Sequence, residues 1–207
     1  MSDEIVFYTN PNSRGRIVRW MLEEVAAPYR TEVLDYGSSM KSQGYLAINP
    51  MGKVPALRHG AAVVTETAAI CTYLADAFPA AKLAPQVDAR AAYYRWFFFG
   101  AGPLEAAVID TALQVNLPED KRSMVGYGSL ATVLDVLQVE VSDHPYLAGD
   151  SFSAADLFVG SQLAWGMHFG LIEKRPAFTD YWTRISDRPA YRRGAELDDA
   201  ARETQTG

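Results

Sequence analysis

The chain has 207 residues, a formal net charge of -6 and a sequence pI near 5.1. This acidic balance argues against a nucleic-acid partner, because proteins that bind the phosphate backbone present a basic field. The sequence contains no run of about 18 apolar residues, which a membrane-spanning helix would require. We therefore expect a cytoplasmic protein that does not enter a membrane. The single cysteine, Cys71, excludes an intrachain disulfide and a CxxC redox pair.

The first eighty residues predict alternating strands and helices. Residues 4–8 are β-branched and aromatic and are followed by turn residues, which indicates a strand and then a loop. From Ser13 the apolar residues fall at helical spacing, so a first helix is predicted to begin near Ser13 and to end before Pro28. The next predicted elements are a strand at 29–34, a weak helix near 40–46, two strands joined by a turn at His59-Gly60, and a helix that ends at Pro79. The order is βαβαββα, and its βαβ opening implies a parallel pair of strands.

Beyond residue 80 the pattern is helical only. The predicted helices cover roughly 87–114, 122–142, 153–168, 175–187 and 190–203. The sequence therefore predicts an α/β domain at 1–80 and an all-helical domain at 86–207.

One helix start is specified in detail. Ser153 and Asp156 have the spacing of a capping box, in which each residue bonds the backbone amide of the other, and Phe152 can staple onto Leu157. We interpret Asp156 as a folding residue rather than a catalytic one.

The histidines do not predict a metal site. His59, His144 and His168 are far apart in sequence and lack a metal-ligand spacing such as HxxxH. We expect ordinary histidines and no metal.

Four features together resemble the cytosolic glutathione transferase family. They are the βαβαββα order, a Val-Pro before the third strand, an acidic-hydroxyl pair at the third helix, and an SxxD cap in the helical half. The resemblance spans nearly the whole chain and is closest to bacterial members of beta, theta or nu type, without resolving the class. It implies a thioredoxin-like N-terminal domain, an all-α C-terminal domain and a homodimer.

The resemblance implies a cradle for the glutathione backbone at residues 49–57, NPMGKVPAL. In the family the Val-Pro bond is cis, which turns the N–H and C=O of the valine outward to pair with the cysteinyl backbone of glutathione. Val54 and Pro55 take these places here. The alternative is an ordinary turn proline.

The resemblance also implies a site for the two ends of glutathione. Glu66 and Thr67 open the third helix, where the helix dipole favours an anion. In the family this pair holds the γ-glutamyl group, with the hydroxyl on the carboxylate and the acidic residue near the ammonium. Lys53 and Lys41 are candidates for the glycyl carboxylate. The alternatives are a plain helix terminus and two surface lysines.

Three residues compete to stabilise the glutathione thiolate, which is the nucleophilic form of the thiol. By resemblance, Ser13 aligns with the cysteine of the beta class, Asn12 with the serine of the theta and delta classes, and Tyr8 with the tyrosine of the alpha and pi classes. We rank them in that order. A helix N-cap, a turn residue and a packed strand aromatic are the respective alternatives.

An electrophile pocket is expected in the helical domain. The stretch 93–100 is rich in aromatic residues and lies on the helix that walls this pocket in the family, so Phe97 and Tyr94 are candidates. Trp165 and His168 are candidates from a later helix. Cys71 falls mid-helix on an apolar face, and we expect it in the core.

The predicted function is that of a glutathione transferase acting on small apolar electrophiles in detoxification, with glutathione as co-substrate. One alternative is glutathione-dependent reduction of disulfides or hydroperoxides. Another is a non-catalytic binding module with the same fold.

Overall fold

The computed structural model describes residues 4–206. The chain forms two compact units, each described by itself below. Unit 1 comprises Met1–Lys82 and Asp187–Gly207, and unit 2 comprises Leu83–Ser186.

Unit 1 is built on a four-stranded sheet with strand order β2-β1-β3-β4. The central strand β1 is apolar or β-branched throughout and is buried at every position, as a strand covered on both faces requires. The predicted βαβαββα order is confirmed, and its elements are β1 (Ile5–Thr9), α1 (Gly15–Val25), β2 (Tyr29–Val33), α2 (Gln43–Leu46), β3 (Ala56–His59), β4 (Ala62–Thr65) and α3 (Thr67–Ala77).

The strand register decides which loops lie together. β1 pairs with β2 in parallel, as predicted, with Thr9 opposite Val33. β1 and β3 are antiparallel with Tyr8 opposite Ala56, and β3 and β4 are antiparallel with Ala56 opposite Thr65. The ends of β1, β2 and β4 and the start of β3 therefore share one edge of the sheet.

The last helix, α9 (Pro189–Thr206), belongs to unit 1 and not to the helical domain predicted at 86–207. It packs on α1, where Gly194 lies against the backbone of Trp20 and the ring of Tyr191 meets the Trp20 ring at 5.0 Å. Arg19 and Asp198 form an ion pair at 2.7 Å beneath this contact. Packing between segments so far apart in the chain leaves no periodic pattern in the sequence. The predicted domain division at residues 80–86 therefore assigned α9 to the helical domain.

Unit 2 is helical, as predicted, but two of its helices differ from the prediction. The single helix expected at 87–114 is divided by a π-helical segment, Gly100–Leu104, that contains Pro103. Proline lacks an amide hydrogen and disturbs the preceding turn. The helix expected from 122 begins at Leu130, after glycines at 126 and 128 and a cap in which Ser129 Oγ accepts from the Thr132 amide at 3.1 Å. The helices are α4 (Ala91–Phe99), α5 (Glu105–Ala112), α6 (Leu130–Asp143), α7 (Ala154–His168) and α8 (Pro176–Ser186).

The capping box at the start of α7 is confirmed, and Asp156 is fully buried. Its Oδ2 accepts from the amide of Ser153 at 2.9 Å, and its Oδ1 accepts from the Leu147 amide and the Tyr181 hydroxyl, each at 2.8 Å. Asp156 thus joins a turn and two helices of unit 2, which agrees with a folding role.

Across residues 4–206, the helices are all too short or too polar to cross a membrane. The same residues contain no cluster of three or more histidine, cysteine or acidic side chains suited to a metal ion.

Candidate functional site

Four loop segments meet at the shared edge of the unit 1 sheet. They are residues 10–14 after β1, residues 34–38 after β2, Val54-Pro55 before β3, and Glu66-Thr67 after β4. Every predicted catalytic or glutathione-binding residue except Tyr8 and Lys41 lies in or next to one of these segments. The topology therefore brings the predicted set together.

The segment before β3 is held by buried polar side chains. The Val54-Pro55 bond is cis, as predicted. The carbonyl of Lys53 accepts hydrogen bonds from the Tyr45 hydroxyl and from Asn49 Nδ2, the latter at 2.8 Å. Asn49 is only 3% exposed, and burial raises the pKa of Tyr45 to about 12, so the Tyr45 hydroxyl keeps the proton that it donates. Neither Tyr45 nor Asn49 was predicted to have this role, although Asn49 opens the NPxG segment.

The segment after β4 presents the start of α3. Thr67 is the first helical residue, and Glu66 caps the helix without a side-chain bond. Glu66 is exposed and has φ 67°, a left-handed conformation that costs a non-glycine residue on the order of 1–3 kcal/mol. The first amides of a helix have no partner within it. This end of the edge can therefore accept an anion.

The two predicted lysines occupy different surroundings. Lys41 Nζ donates to the carbonyl of Gly52 at 2.8 Å and so ties the turn at residues 39–41 to the loop before β3. Lys53 is exposed. Lys53 is thus the better placed of the two to reach a ligand carboxylate, whereas Lys41 already has a structural contact.

The segment after β1 folds the Ser13 hydroxyl inward. Ser13 Oγ donates to the carbonyl of Asn10 at 2.6 Å and accepts from the amide of Gly15 at 2.9 Å. A hydroxyl has a single hydrogen to donate. The hydrogen of Ser13 is therefore committed within its own loop.

Gly15 permits this close approach. A Cβ on Gly15 would lie 1.9 Å from Thr9 Oγ1 and 2.9 Å from Ser13 Oγ, distances that real atoms do not reach. Only glycine lets α1 begin this close to the end of β1.

The other two thiolate candidates also differ in exposure. Asn12 is exposed, and within residues 4–206 we find no hydrogen bond from its side-chain amide. Tyr8 is buried in a core cluster with Val6, Met40 and Tyr45, and its ring lies 5.6 Å from that of Tyr45. Asn12 thus has a free donor at the surface, whereas Tyr8 is mainly a packing residue.

The structure adds a residue that the sequence analysis missed. Tyr36, in the loop after β2, donates from its hydroxyl to the carbonyl of Asn12 at 3.1 Å and is 55% exposed. Partial burial raises the pKa of Tyr36, against the opposing effects of the nearby Ser13 hydroxyl and the positive charge of Arg14. A lone tyrosine in a predicted loop has no signal in the sequence, since only the parallel pairing of β1 and β2 brings it to Asn12.

Comparison with known proteins decides the family. Residues 13–77 match the model of the glutathione S-transferase N-terminal domain, and residues 121–189 match that of the C-terminal domain. The chain is 30% identical to glutathione S-transferase A of Pleuronectes platessa over 186 residues, covering 84% of this chain and 83% of the relative. It is also 30% identical to glutathione S-transferase 3 of Schizosaccharomyces pombe, covering 93% and 87%.

The chain belongs to the glutathione S-transferase family. Solved structures agree: a glutathione transferase of Methylococcus capsulatus, 25% identical, superposes with a TM-score of 0.78 and covers 95% of this chain and 99% of its own. The predicted fold, family and transferase activity are confirmed.

The aromatic candidates of the transferase lie in unit 2. Phe97 is 3% exposed and its ring stacks on that of Phe158 at 5.4 Å, so it is a core residue rather than an open wall. Tyr94 is exposed on the same helix. His168 is exposed at the end of α7, where its ring and the partly buried ring of Trp165 both pack edge-on against Phe169.

The one cysteine of the transferase is a core residue, as predicted. Cys71 is fully buried in α3, and burial raises the pKa of its thiol. A buried, protonated thiol is a poor nucleophile. Cys71 is therefore not placed to act as a nucleophile.

Proposed function

We propose that the transferase binds glutathione along the shared edge of the unit 1 sheet and transfers its thiolate to small apolar electrophiles. The observation that carries this proposal is the common edge that the strand register makes from residues 10–14, Val54-Pro55 and Glu66-Thr67. A cytoplasmic homodimer with a role in detoxification, as expected from the family resemblance, is part of the same proposal.

The spacing of the strands supports this placement of glutathione. Neighbouring strands lie about 4.8 Å apart, so the ends of β1 and β4 are separated by about 10 Å across β3. An extended tripeptide spans about 10 Å. The γ-glutamyl group can therefore lie at Glu66-Thr67, the cysteinyl backbone at Val54, and the thiol beside residues 10–14.

Charge and hydrogen bonding support the same orientation. The amides at the start of α3 and the Thr67 hydroxyl suit the γ-glutamyl carboxylate, and Glu66 suits its ammonium. The exposed Lys53 suits the glycyl carboxylate, with Lys41 as the second candidate. Catalysis then consists of lowering the thiol pKa from about 8.5 and of holding both reactants together.

The aromatic side chains exposed in unit 2 indicate which class of electrophile the enzyme accepts. Tyr94, Trp165 and His168 offer exposed or partly exposed aromatic surface in unit 2, whereas Phe97 contributes to the core behind it. Aromatic surface favours apolar and aromatic electrophiles over charged ones.

Calorimetry and turnover test the proposal. We expect glutathione to bind with a micromolar to millimolar Kd, and we expect turnover with an aromatic halide to exceed turnover with a disulfide or hydroperoxide. A larger rate with the disulfide or hydroperoxide would replace conjugation by glutathione-dependent reduction. The absence of binding at millimolar glutathione would refute the site itself.

Three variants identify the group that stabilises the thiolate. We compare Ser13→Ala, Asn12→Ala and Tyr8→Phe for the pKa of bound glutathione and for kcat/KM. Loss of one direct donor should raise the pKa of the bound thiol by about one to two units and lower kcat/KM about 10- to 100-fold. Because the Ser13 hydroxyl is committed to Asn10, an intact thiol pKa in Ser13→Ala would show that its role is to shape the loop. Tyr73→Phe, which loses a bond to His59 at the opposite end of β3, is the control for Tyr8→Phe.

A further inference from the structure

The loop after β2 places a phenol beside the segment assigned to the thiol. Tyr36 reaches across from β2 to β1, and its hydroxyl donates to the carbonyl of Asn12 at 3.1 Å. The Ser13 hydroxyl and the charge of Arg14 both oppose the rise in the pKa of Tyr36 that its partial burial causes. The Tyr36 hydroxyl therefore lies over the segment that precedes α1.

We propose that Tyr36 is a catalytic residue of the transferase, whose hydroxyl turns from the Asn12 carbonyl to donate a hydrogen bond to the sulfur of bound glutathione. This inference rests on the proposed function, which places the sulfur beside residues 10–14. Tyr36 would be a hydrogen-bond donor from the loop after β2. In the sheet, β2 lies on one side of β1, and β3, where the glutathione backbone is proposed to bind, lies on the other.

The hydroxyls of Ser13 and Tyr36 differ in how free they are to donate to a ligand. The Ser13 hydrogen is committed to the Asn10 carbonyl at 2.6 Å, which is a short and buried bond. The Tyr36 bond is longer, at 3.1 Å, and exposed, and it ends on a carbonyl at the surface. An exposed bond of this kind exchanges with a ligand at small cost, because water or the ligand can replace either partner. Tyr36 is thus freer to donate than Ser13.

The Tyr36 hydroxyl and the glutathione thiol differ in acidity. An ordinary tyrosine hydroxyl has a pKa near 10 and a thiol a pKa near 8.5, so the thiol ionises first. Partial burial raises the pKa of Tyr36 further. The thiol proton therefore leaves to solvent, the sulfur keeps the electron pair, and Tyr36 keeps its own proton as the hydrogen-bond donor to the thiolate.

A positive charge lies near the Tyr36 hydroxyl. The guanidinium of Arg14 is close enough to Tyr36 to oppose the rise of its pKa. A positive charge near this hydroxyl also favours the ionised form of a thiol that is bound beside it. The hydroxyl and the cation would thus act on the sulfur in the same direction.

The test is Tyr36→Phe, which removes one exposed hydroxyl and leaves the ring in place. The ultraviolet absorbance of the thiolate, titrated in the enzyme–glutathione complex, gives the pKa of the bound thiol. We expect the pKa of the bound thiol to rise by about one unit. At pH values below this pKa, kcat/KM should fall about tenfold. The Kd of glutathione should change less than about threefold, because the backbone contacts at Val54 and Thr67 are untouched.

The pH profile separates a donor from a structural residue. Above the raised pKa, both enzymes hold glutathione as thiolate, so the difference in rate should close as the pH increases. A merely structural loss would lower the rate at every pH. Tyr127→Phe is the matched control, since it removes a hydroxyl bonded to Asp110 in unit 2 and should leave the thiol pKa unchanged.

The outcomes distinguish this inference from the function on which it rests. If the wild-type enzyme binds and conjugates glutathione but Tyr36→Phe keeps the wild-type thiol pKa, the role of Tyr36 is refuted and the proposed function stands. A variant that loses affinity without a change in thiol pKa also refutes it, because Tyr36 would then be a binding residue. If the wild-type enzyme does not bind glutathione, both proposals fail.

Discussion

The two halves of the sheet edge are built differently. The β3–β4 half presents backbone groups held from behind: two side chains fix the Lys53 carbonyl, and Glu66 keeps a strained backbone at the start of α3. The β1–β2 half presents exposed side chains, those of Asn12 and Tyr36, over a loop whose own hydroxyl points inward.

The difference separates recognition from activation. In the proposed function, backbone groups hold the peptide part of glutathione, and the exposed donors act on the pKa of its sulfur. Substitutions in the β3–β4 half should therefore change Kd, and those in the β1–β2 half should change the thiol pKa or the stability of α1.

The largest loss of stability is expected from breaking the buried ion pair of Arg19 and Asp198, which lies beneath the β1–β2 half. Arg19 joins α1 to α9 through Asp198 and to β2 through the hydroxyls of Tyr29 and Thr31, each at 3.2 Å. Arg19 and Asp198 are 4% and 1% exposed. Asp198→Ala leaves a buried cation without its partner and should lower the free energy of unfolding by about 3–5 kcal/mol, measured by urea denaturation.

The neighbouring residue is the control for this prediction. Asp199 is 48% exposed and pairs with Arg16 at 3.0 Å. Asp199→Ala should cost at most about 1 kcal/mol, because solvent screens an exposed pair. Equal losses in the two variants would contradict the assigned role of the buried pair.

In the β3–β4 half, Thr67→Ala should raise the Kd of glutathione about 10- to 100-fold, since it removes a hydroxyl from the γ-glutamyl carboxylate. At saturating glutathione, kcat and the pH profile should stay near the wild-type values. Calorimetry and steady-state kinetics measure the two effects.

Two variants control for the hydroxyl of Thr67. Thr67→Ser retains it and should bind nearly as the wild type does. Thr72→Ala removes a hydroxyl that bonds the Ala68 carbonyl in the same helix and should leave Kd unchanged. A lowered kcat in Thr67→Ala without a change in Kd would contradict the proposal that the β3–β4 half determines affinity and not activation of the thiol.

Gly15→Ala tests the close approach of α1 to β1. The added Cβ would meet Thr9 Oγ1 at 1.9 Å, so the start of α1 has to shift. We expect a loss of about 1–3 kcal/mol in the free energy of unfolding and a raised thiol pKa. Gly44→Ala, where the Cβ meets no atom within 4 Å, should be neutral or slightly stabilising.

A second substitution sharpens this prediction. Thr9→Ala removes the hydroxyl that the new Cβ would strike, so the double variant should recover part of the lost stability. A lack of recovery would place the strain elsewhere in the loop.

The smallest effect is expected at Tyr45. Its hydroxyl is one of two donors to the Lys53 carbonyl, and Asn49 remains as the other. Tyr45→Phe should cost about 0.5–1.5 kcal/mol of stability and raise the Kd of glutathione only slightly. Tyr73→Phe, which loses a hydrogen bond to His59 away from this edge, should leave Kd unaffected. A large rise of Kd in Tyr73→Phe would show that the cradle is not local.

Local patterns in the sequence determined the element order, the parallel opening of the sheet, the cis Val54-Pro55 bond by family resemblance, the capping box of α7 and the burial of Cys71. These features depend on residues close together in the chain or on a motif of fixed spacing. The same is true of Glu66 and Thr67 at the start of α3.

Only the tertiary structure decided the inward bond of Ser13, the position of Tyr36 over Asn12, the core position of Phe97 and the packing of α9 on α1. Each depends on which of several possible partners lies nearest in space. Tyr36 and Asn12 are 24 positions apart and meet because β1 and β2 pair in parallel, and Arg19 and Asp198 are 179 positions apart. Side-chain pairing over such separations leaves no periodicity in the sequence, because it depends on how the strands and helices pack against one another.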